Sequence, residues 1–137
     1  MESTERALQC VVVTPERAVL DEPADFVALP MYDGELGVLP GRAPLIGRLG
    51  YGELRLRRGN DTKRYFVDSG FAQIRNNIVT VLTPRAVRAE EIDLRQTEER
   101  LRQAQLPASA AAQVENEKNQ ARARAQLRIA RRGQGED

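Results

Sequence analysis

The stretch Glu53-Leu54-Arg55-Leu56-Arg57 alternates charged and apolar residues throughout, the period of a strand with one wet and one dry face. Gly59-Asn60-Asp61 follows as a turn cluster, and Lys63-Arg64-Tyr65-Phe66-Val67 resumes a β-type run, so the segment predicts a hairpin. Downstream, Phe71-Ala72-Gln73-Ile74 leads into Asn76-Asn77, which tolerate positive φ, and Ile78-Val79-Thr80-Val81-Leu82 returns as a second hairpin. Upstream, Leu8 to Val13 and Phe26 to Met31 are two further runs of the same kind. Short strands at intervals of about ten residues, separated by Gly, Pro, Asn and Asp, predict two sheets that bury their facing sides. The expected fold of residues 1–88 is an all-β sandwich.

Beyond Arg88 the period changes. Glu90 to Gln105 contains neither Gly nor Pro, and Leu94, Thr97, Leu101 and Ala104 recur on one helical face, which predicts a helix of about 24 Å. Glu90, Glu91 and Asp93 fall in its first turn, where carboxylates suit the helix dipole, and Glu98 with Arg102 forms an i,i+4 pair. Leu106-Pro107-Ala108 breaks this helix, and Ser109 is placed to cap a second, Ala-rich one of about 36 Å reaching Arg132, with Gly133 as its stop. Residues 89–137 are thus expected to form a helical hairpin, a two-helix arm with a short disordered tail, segregated from the sandwich. Val114, Leu127 and Ile129 are the large apolar residues of the second helix, a small apolar surface, so the arm is expected to be reversibly held.

Composition narrows the function classes. Of 137 residues, 41% are hydrophobic and 30% charged, values of a folding chain. A net charge of +1 provides no long-range field toward nucleic acid or anionic lipid. The absence of histidine removes His-based triads, imidazole bases and His-ligated metals. Cys10, the single cysteine, lies in a run that reads as a buried strand and cannot form an internal disulfide, which fits a reducing compartment. The first nine residues carry no signal-peptide pattern, and no run approaches the roughly 18 to 20 apolar residues that span a bilayer. Work at a membrane would need a partner to hold the chain there.

Gly34-Glu35-Leu36-Gly37-Val38-Leu39-Pro40-Gly41-Arg42-Ala43-Pro44-Leu45 packs three glycines and two prolines into twelve residues. It lacks the lysine and the following helix of a phosphate-binding loop, and reads as a rigid, exposed double turn suited to docking. Gly50-Tyr51-Gly52 precedes a strand, not a helix, so the dinucleotide fingerprint fails and a strand connection is expected. Asp25, Asp33 and Asp68 read as scattered turn residues, with no paired carboxylates for acid and base work. No catalytic residue, metal or cofactor is expected. In the last helix Arg122, Arg124, Arg128, Arg131 and Arg132 cluster, and Arg124, Arg128 and Arg131 share a stripe at i, i+4 and i+7. Such a stripe is either a solvated face or a docking surface for an acidic protein. The competing class is a free-standing module whose basic helical hairpin grips an acidic partner or nucleic acid, and steep salt dependence would single out phosphate binding.

With these residues in view, the chain resembles the epsilon subunit of bacterial-type F-type ATP synthases over nearly its whole length. The resemblance is carried by Gly34 to Leu45, by Ser69-Gly70-Phe71-Ala72-Gln73-Ile74 through Asn77-Ile78-Val79-Thr80-Val81-Leu82, and by Ala125-Gln126-Leu127-Arg128-Ile129. It implies a non-catalytic rotor component of the central stalk that couples ion translocation to ATP synthesis. The sandwich would bind the gamma subunit and the c-ring, and the arm would rise to the alpha and beta subunits and restrain hydrolysis. By position, Glu35, Gly37, Pro40, Arg42 and Pro44 would lie on loops facing the c-ring and gamma, and Arg122, Arg124, Arg128, Arg131 and Arg132 would meet an acidic segment of beta. The implied location is peripheral, at the cytoplasmic face of the inner membrane, with neither nucleic acid nor membrane insertion involved. The family usually has histidine where Arg42 stands, so a titratable ring is replaced by a permanent charge. Some relatives bind ATP through Ile/Leu-Asp-x-x-Arg-Ala, whereas here Ile92-Asp93-Leu94-Arg95-Gln96-Thr97 sets Arg95 one residue early, about 100° around the helix. Regulatory ATP binding is therefore expected to be weak or absent.

Overall fold

Eight strands, then two helices, succeed one another in the computed structural model, which describes residues 7–105 and 110–133, the side chains of 110–114 excepted. The strands are β1 (Leu8–Val13), β2 (Ala18–Ala24), β3 (Phe26–Met31), β4 (Gly34–Val38), β5 (Leu45–Arg58), β6 (Asp61–Arg75), β7 (Ile78–Leu82) and β8 (Ala86–Arg88). A 3₁₀ turn at Ala89–Glu91 precedes helices α1 (Leu94–Ala104) and α2 (Ala110–Gly133). The strand order is β2-β1-β7-β6-β5-β3-β4 with β8 also on β6, and every pairing is antiparallel except β1 with β7.

The sandwich forms by folding this ribbon on itself. β5 and β6 run in unbroken register from Leu45↔Ile74 to Arg58↔Asp61, and the pair bends where Gly50 of β5 lies beside Ser69 and Gly70 of β6. Ser69 and Gly70 adopt φ of 66° and 109°, and a Cβ on Gly70 would lie 2.0 Å from the Leu82 carbonyl oxygen, so this corner requires glycine. The two expected hairpins therefore share one long strand, and Gly50-Tyr51-Gly52 is the bend of a strand, not a connection between strands. Alternation then fills the interior: Leu8, Cys10 and Val12 from β1, Leu54 and Leu56 from β5, Tyr65 and Val67 from β6, and Val79 and Val81 from β7 meet in one cluster with Val27, Leu29 and Val38. Asn76 and Asn77 take φ of 52° and 64° in the β6–β7 turn, as their chemistry predicts.

The helical hairpin differs from expectation at its start. Ile92 is extended and buried, and α1 begins at Leu94 with Asp93 as its N-cap, the carboxylate accepting from the Gln96 N–H at 3.0 Å. Glu90 and Glu91 belong to the 3₁₀ turn. Arg102 pairs with Glu99, while Glu98 reaches across to Arg131 of α2 at 3.6 Å, so the expected Glu98–Arg102 pair gives way to a link between the helices. The Leu106-Pro107-Ala108 break, the Ser109 cap and the Val114 side chain lie outside the described residues. The two helices run antiparallel, with the Gln120 amide donating to the Ala104 carbonyl at 2.9 Å. No described helix is long and apolar enough to cross a membrane.

Candidate functional site

Because Leu54, Leu56, Tyr65 and Val67 point inward, their strand neighbours Tyr51, Glu53, Arg55, Arg64, Phe66 and Asp68 share the outer face of the β5–β6 ribbon. α2 lies on that face. Phe66, fully buried, packs with Ala125, Ile129 and Ala130 of α2 and with Ala89 and Ile92 of the segment before α1. Alanines allow the helix to approach closely, and Gly133 sits so near Ala89 that a Cβ there would lie 2.4 Å from the alanine's own. The alternation in Glu53 to Arg57 thus marks a polar face that is dry at one patch. Such a patch is legible only once the helix that covers it is placed.

Charges flank this patch at both ends. Arg122 pairs with Asp68 at 3.1 Å, its guanidinium 5.5 Å from the centre of the Tyr51 ring. Arg132 pairs with Glu53 at 3.1 Å. The Glu53 side chain is only 8% exposed and also takes Arg55 at 3.2 Å and Arg64 at 3.1 Å, while Arg55 extends on to Glu35 at 3.3 Å. Asp68, expected as a solvated turn residue, is instead a strand residue in an ion pair. The five arginines do not form one cluster: Arg122 and Arg132 turn to the sandwich, Arg131 pairs with Glu98 of α1, and Arg124 and Arg128 are exposed.

The glycine-proline stretch forms one end of the sandwich. Glu35 and Gly37 are part of β4, paired with Pro30 and Ala28, so the first half of the expected double turn is a strand. The turn itself follows at Leu39 to Pro44 and is tethered by the Gly41 N–H, which donates to the Asn77 side chain at 2.8 Å. Arg42 and Pro44 are exposed and Pro40 is half-buried. Beyond this end lies a surface missing from the sequence reading. Arg48, Phe71 and Leu82 are cross-strand neighbours, Tyr32 stacks beneath the Arg48 guanidinium at 4.7 Å, and Ile46 projects on the same face. Tyr32 and Ile46 are 70% and 71% exposed, and Phe71 and Leu82 more than half. The signal was available: Phe71 shares the parity of Gln73, and Leu82 that of Thr80, so both point away from the core.

Ile92, Asp93 and Arg95 do not converge. Ile92 belongs to the Phe66 cluster, Asp93 caps α1, and the exposed Arg95 is absent from the cavity of about 80 Å³ that Ile92 and Asp93 line together with Arg85, Gln96 and Arg100. The adjoining groove between the helices contains Arg85, Arg100 and Arg122 but also Asp68 and Glu99, and is not a uniformly cationic cradle. Among the described residues no group of His, Cys, Asp and Glu is placed to hold a metal.

A family model described as the ATP synthase Delta/Epsilon chain, beta-sandwich domain, matches residues 7–89. The ATP synthase epsilon chain of Rhodopirellula baltica is 52% identical over 127 residues, covering 91% of this chain and 99% of that one. That of Nitratidesulfovibrio vulgaris strain DP4 is 39% identical, covering 92% of each. Among solved structures, a chain of the Euglena gracilis mitochondrial ATP synthase, in an assembly of OSCP, F1 and c-ring, superposes with a TM-score of 0.75 at 26% identity, over 83% of this chain and 75% of that one. A chain of the Tetrahymena thermophila mitochondrial ATP synthase central stalk and c-ring shares the fold, with a TM-score of 0.67 at 12% identity over 90% of this chain and 96% of that one.

Proposed function

The chain belongs to the ATP synthase epsilon-chain family, and from that premise we propose that it works as a non-catalytic rotor element with a hinged regulatory arm. The sandwich end carrying Glu35, Gly37, Pro40, Arg42 and Pro44 faces the c-ring, and the apolar face of Tyr32, Ile46, Phe71 and Leu82 seats the gamma subunit. An exposed apolar strip on an otherwise polar sheet is the usual mark of such a docking face. The chain is then held peripherally at the cytoplasmic face of the inner membrane by the complex, without inserting into the bilayer.

One observation carries the regulatory reading: α2 rests on the sandwich through Ala125, Ile129, Ala130 and end-on ion pairs, while Arg124 and Arg128 remain exposed and Arg131, also exposed, pairs only within the arm, to Glu98. An acidic segment of the beta subunit is the partner that suits such a stripe, and engaging it restrains ATP hydrolysis. The test is reconstitution of an epsilon-depleted ATP synthase with the full chain and with the triple variant Arg124→Glu, Arg128→Glu, Arg131→Glu. Both are expected to bind, and only the unaltered chain to restrain hydrolysis. Equal restraint by both would remove the assignment. Charge reversal at Glu35 or Arg42 is expected to impair coupling with assembly intact, and undiminished coupling would remove the c-ring assignment.

A further inference from the structure

We propose that Asp68 and Glu53 form an intramolecular ionic latch, holding Arg122 and Arg132 of α2 in the resting position and withholding them from any acidic partner. The inference rests on the regulatory reading of the arm and adds the residues that set its balance.

The geometry suits a latch and not a permanent clamp. Its two pairs lie at opposite ends of the α2 contact, ten residues apart, or about 15 Å along a helix, with the Phe66 patch between them. The carboxylates are shielded, Glu53 at 8% and Asp68 at 23% side-chain exposure, while Arg122 and Arg132 stay open to solvent at 34% and 44%, so screening weakens the pairs less than fully exposed ones but still keeps them modest. Departure of the arm nevertheless leaves no buried charge without compensation. Glu53 keeps Arg55 and Arg64, both in its own sheet, and Asp68 stands at the bend of β6 where water reaches it. Removing one partner of a buried pair is costly when the other is stranded, and here neither is stranded. The apolar contact between the pairs is small, Phe66 with Val87 beside it against Ala125, Ile129 and Ala130 of α2 and the adjoining Ala89 and Ile92, which keeps release within reach. A carboxylate-bearing partner must therefore win these arginines from carboxylates they already hold. Resting and engaged positions compete for the same cations, and only the difference in affinity shifts the balance.

The test uses the full chain with Asp68→Asn, Arg122→Gln and the double variant, since the Asp68 carboxylate makes its one described ion pair with Arg122. Amide exchange of Gln120 to Gly133 is expected to quicken by about three- to fivefold in each single variant, with the double variant no faster than either, as expected of partners in one interaction. Exchange in β1 and β7 should stay unchanged, which controls for folding. In the reassembled synthase, Asp68→Asn should restrain hydrolysis more strongly than the unaltered chain. Unaltered exchange of α2 in both single variants would overturn the latch. Faster exchange without any change in hydrolysis would establish the latch and overturn instead the regulatory reading of the arm.

Discussion

At the scale of single residues, the interior is specified by parity. Leu8, Cys10 and Val12 alternate with half-exposed partners along β1, and burial pushes the Cys10 thiol from an ordinary 9.0 up to about 12, with Glu22 and Asp21 acting in the same direction. The thiolate is the reactive form, so Cys10 is expected to ignore a disulfide reagent at pH 8 in the native protein and to react fully in denaturant, as an absorbance assay would show. The linkage has a definite sign. Between pH 9 and about 12 the folded chain holds a thiol proton that the unfolded chain has lost, so this contribution to stability is complete below pH 9 and disappears as pH rises toward 12. Tyr65, also raised chiefly by burial, acts in the same sense. Denaturant midpoints should fall across this window, and less steeply in Cys10→Ala. Gly70 is the other residue with a single permitted identity. Gly70→Ala meets the Leu82 carbonyl at a φ of 109°, and is expected to destabilise by more than about 2 kcal/mol in urea titrations.

At the scale of elements, what was legible depended on whether the determinant is local. The β5–β6 turn, the asparagine turn and the strand alternation are set by nearest neighbours, and all were readable. The continuity of β5 and β6 was not, because Gly50-Tyr51-Gly52 and Ser69-Gly70 carry the composition of strand ends, and only the folded ribbon keeps register through them. The start of α1 was misplaced for a related reason. Acidic residues from Glu90 onward suit a first turn, but Phe66 and Ile129 draw Ile92 into their cluster and force it extended, leaving Asp93 as the cap. The cap predicts that Asp93→Ala costs about 1 kcal/mol, seen as a lower melting temperature with the strand signal of circular dichroism retained. The contact face of α2 was the least legible, since it is made largely of alanines whose value lies in how near they allow the sheet to come.

At the scale of the whole molecule, the described residues form two cores of unequal standing. Every buried residue of the sandwich cluster lies between Leu8 and Val81, and Ala86 of β8 packs against it, so that core closes without any help from the helices. The second cluster exists only where Phe66 meets the arm, and removing the arm would leave an aromatic ring in water on an outer sheet face. We therefore propose that residues 1–88 fold independently but carry one residue suited only to the arm. A chain ending at Arg88 is expected to show cooperative thermal unfolding and a β-type circular dichroism spectrum, yet to self-associate through the uncovered Phe66 beside the other exposed apolar residues. The same truncation with Phe66→Thr, which keeps a strand-favouring side chain while removing the ring, should fold alike and sediment with less self-association. If the truncated chain fails to fold in both forms, the helices belong to the core and cannot serve as a movable arm; if both self-associate equally, the face bearing Tyr32, Ile46, Phe71 and Leu82, and not Phe66, drives association.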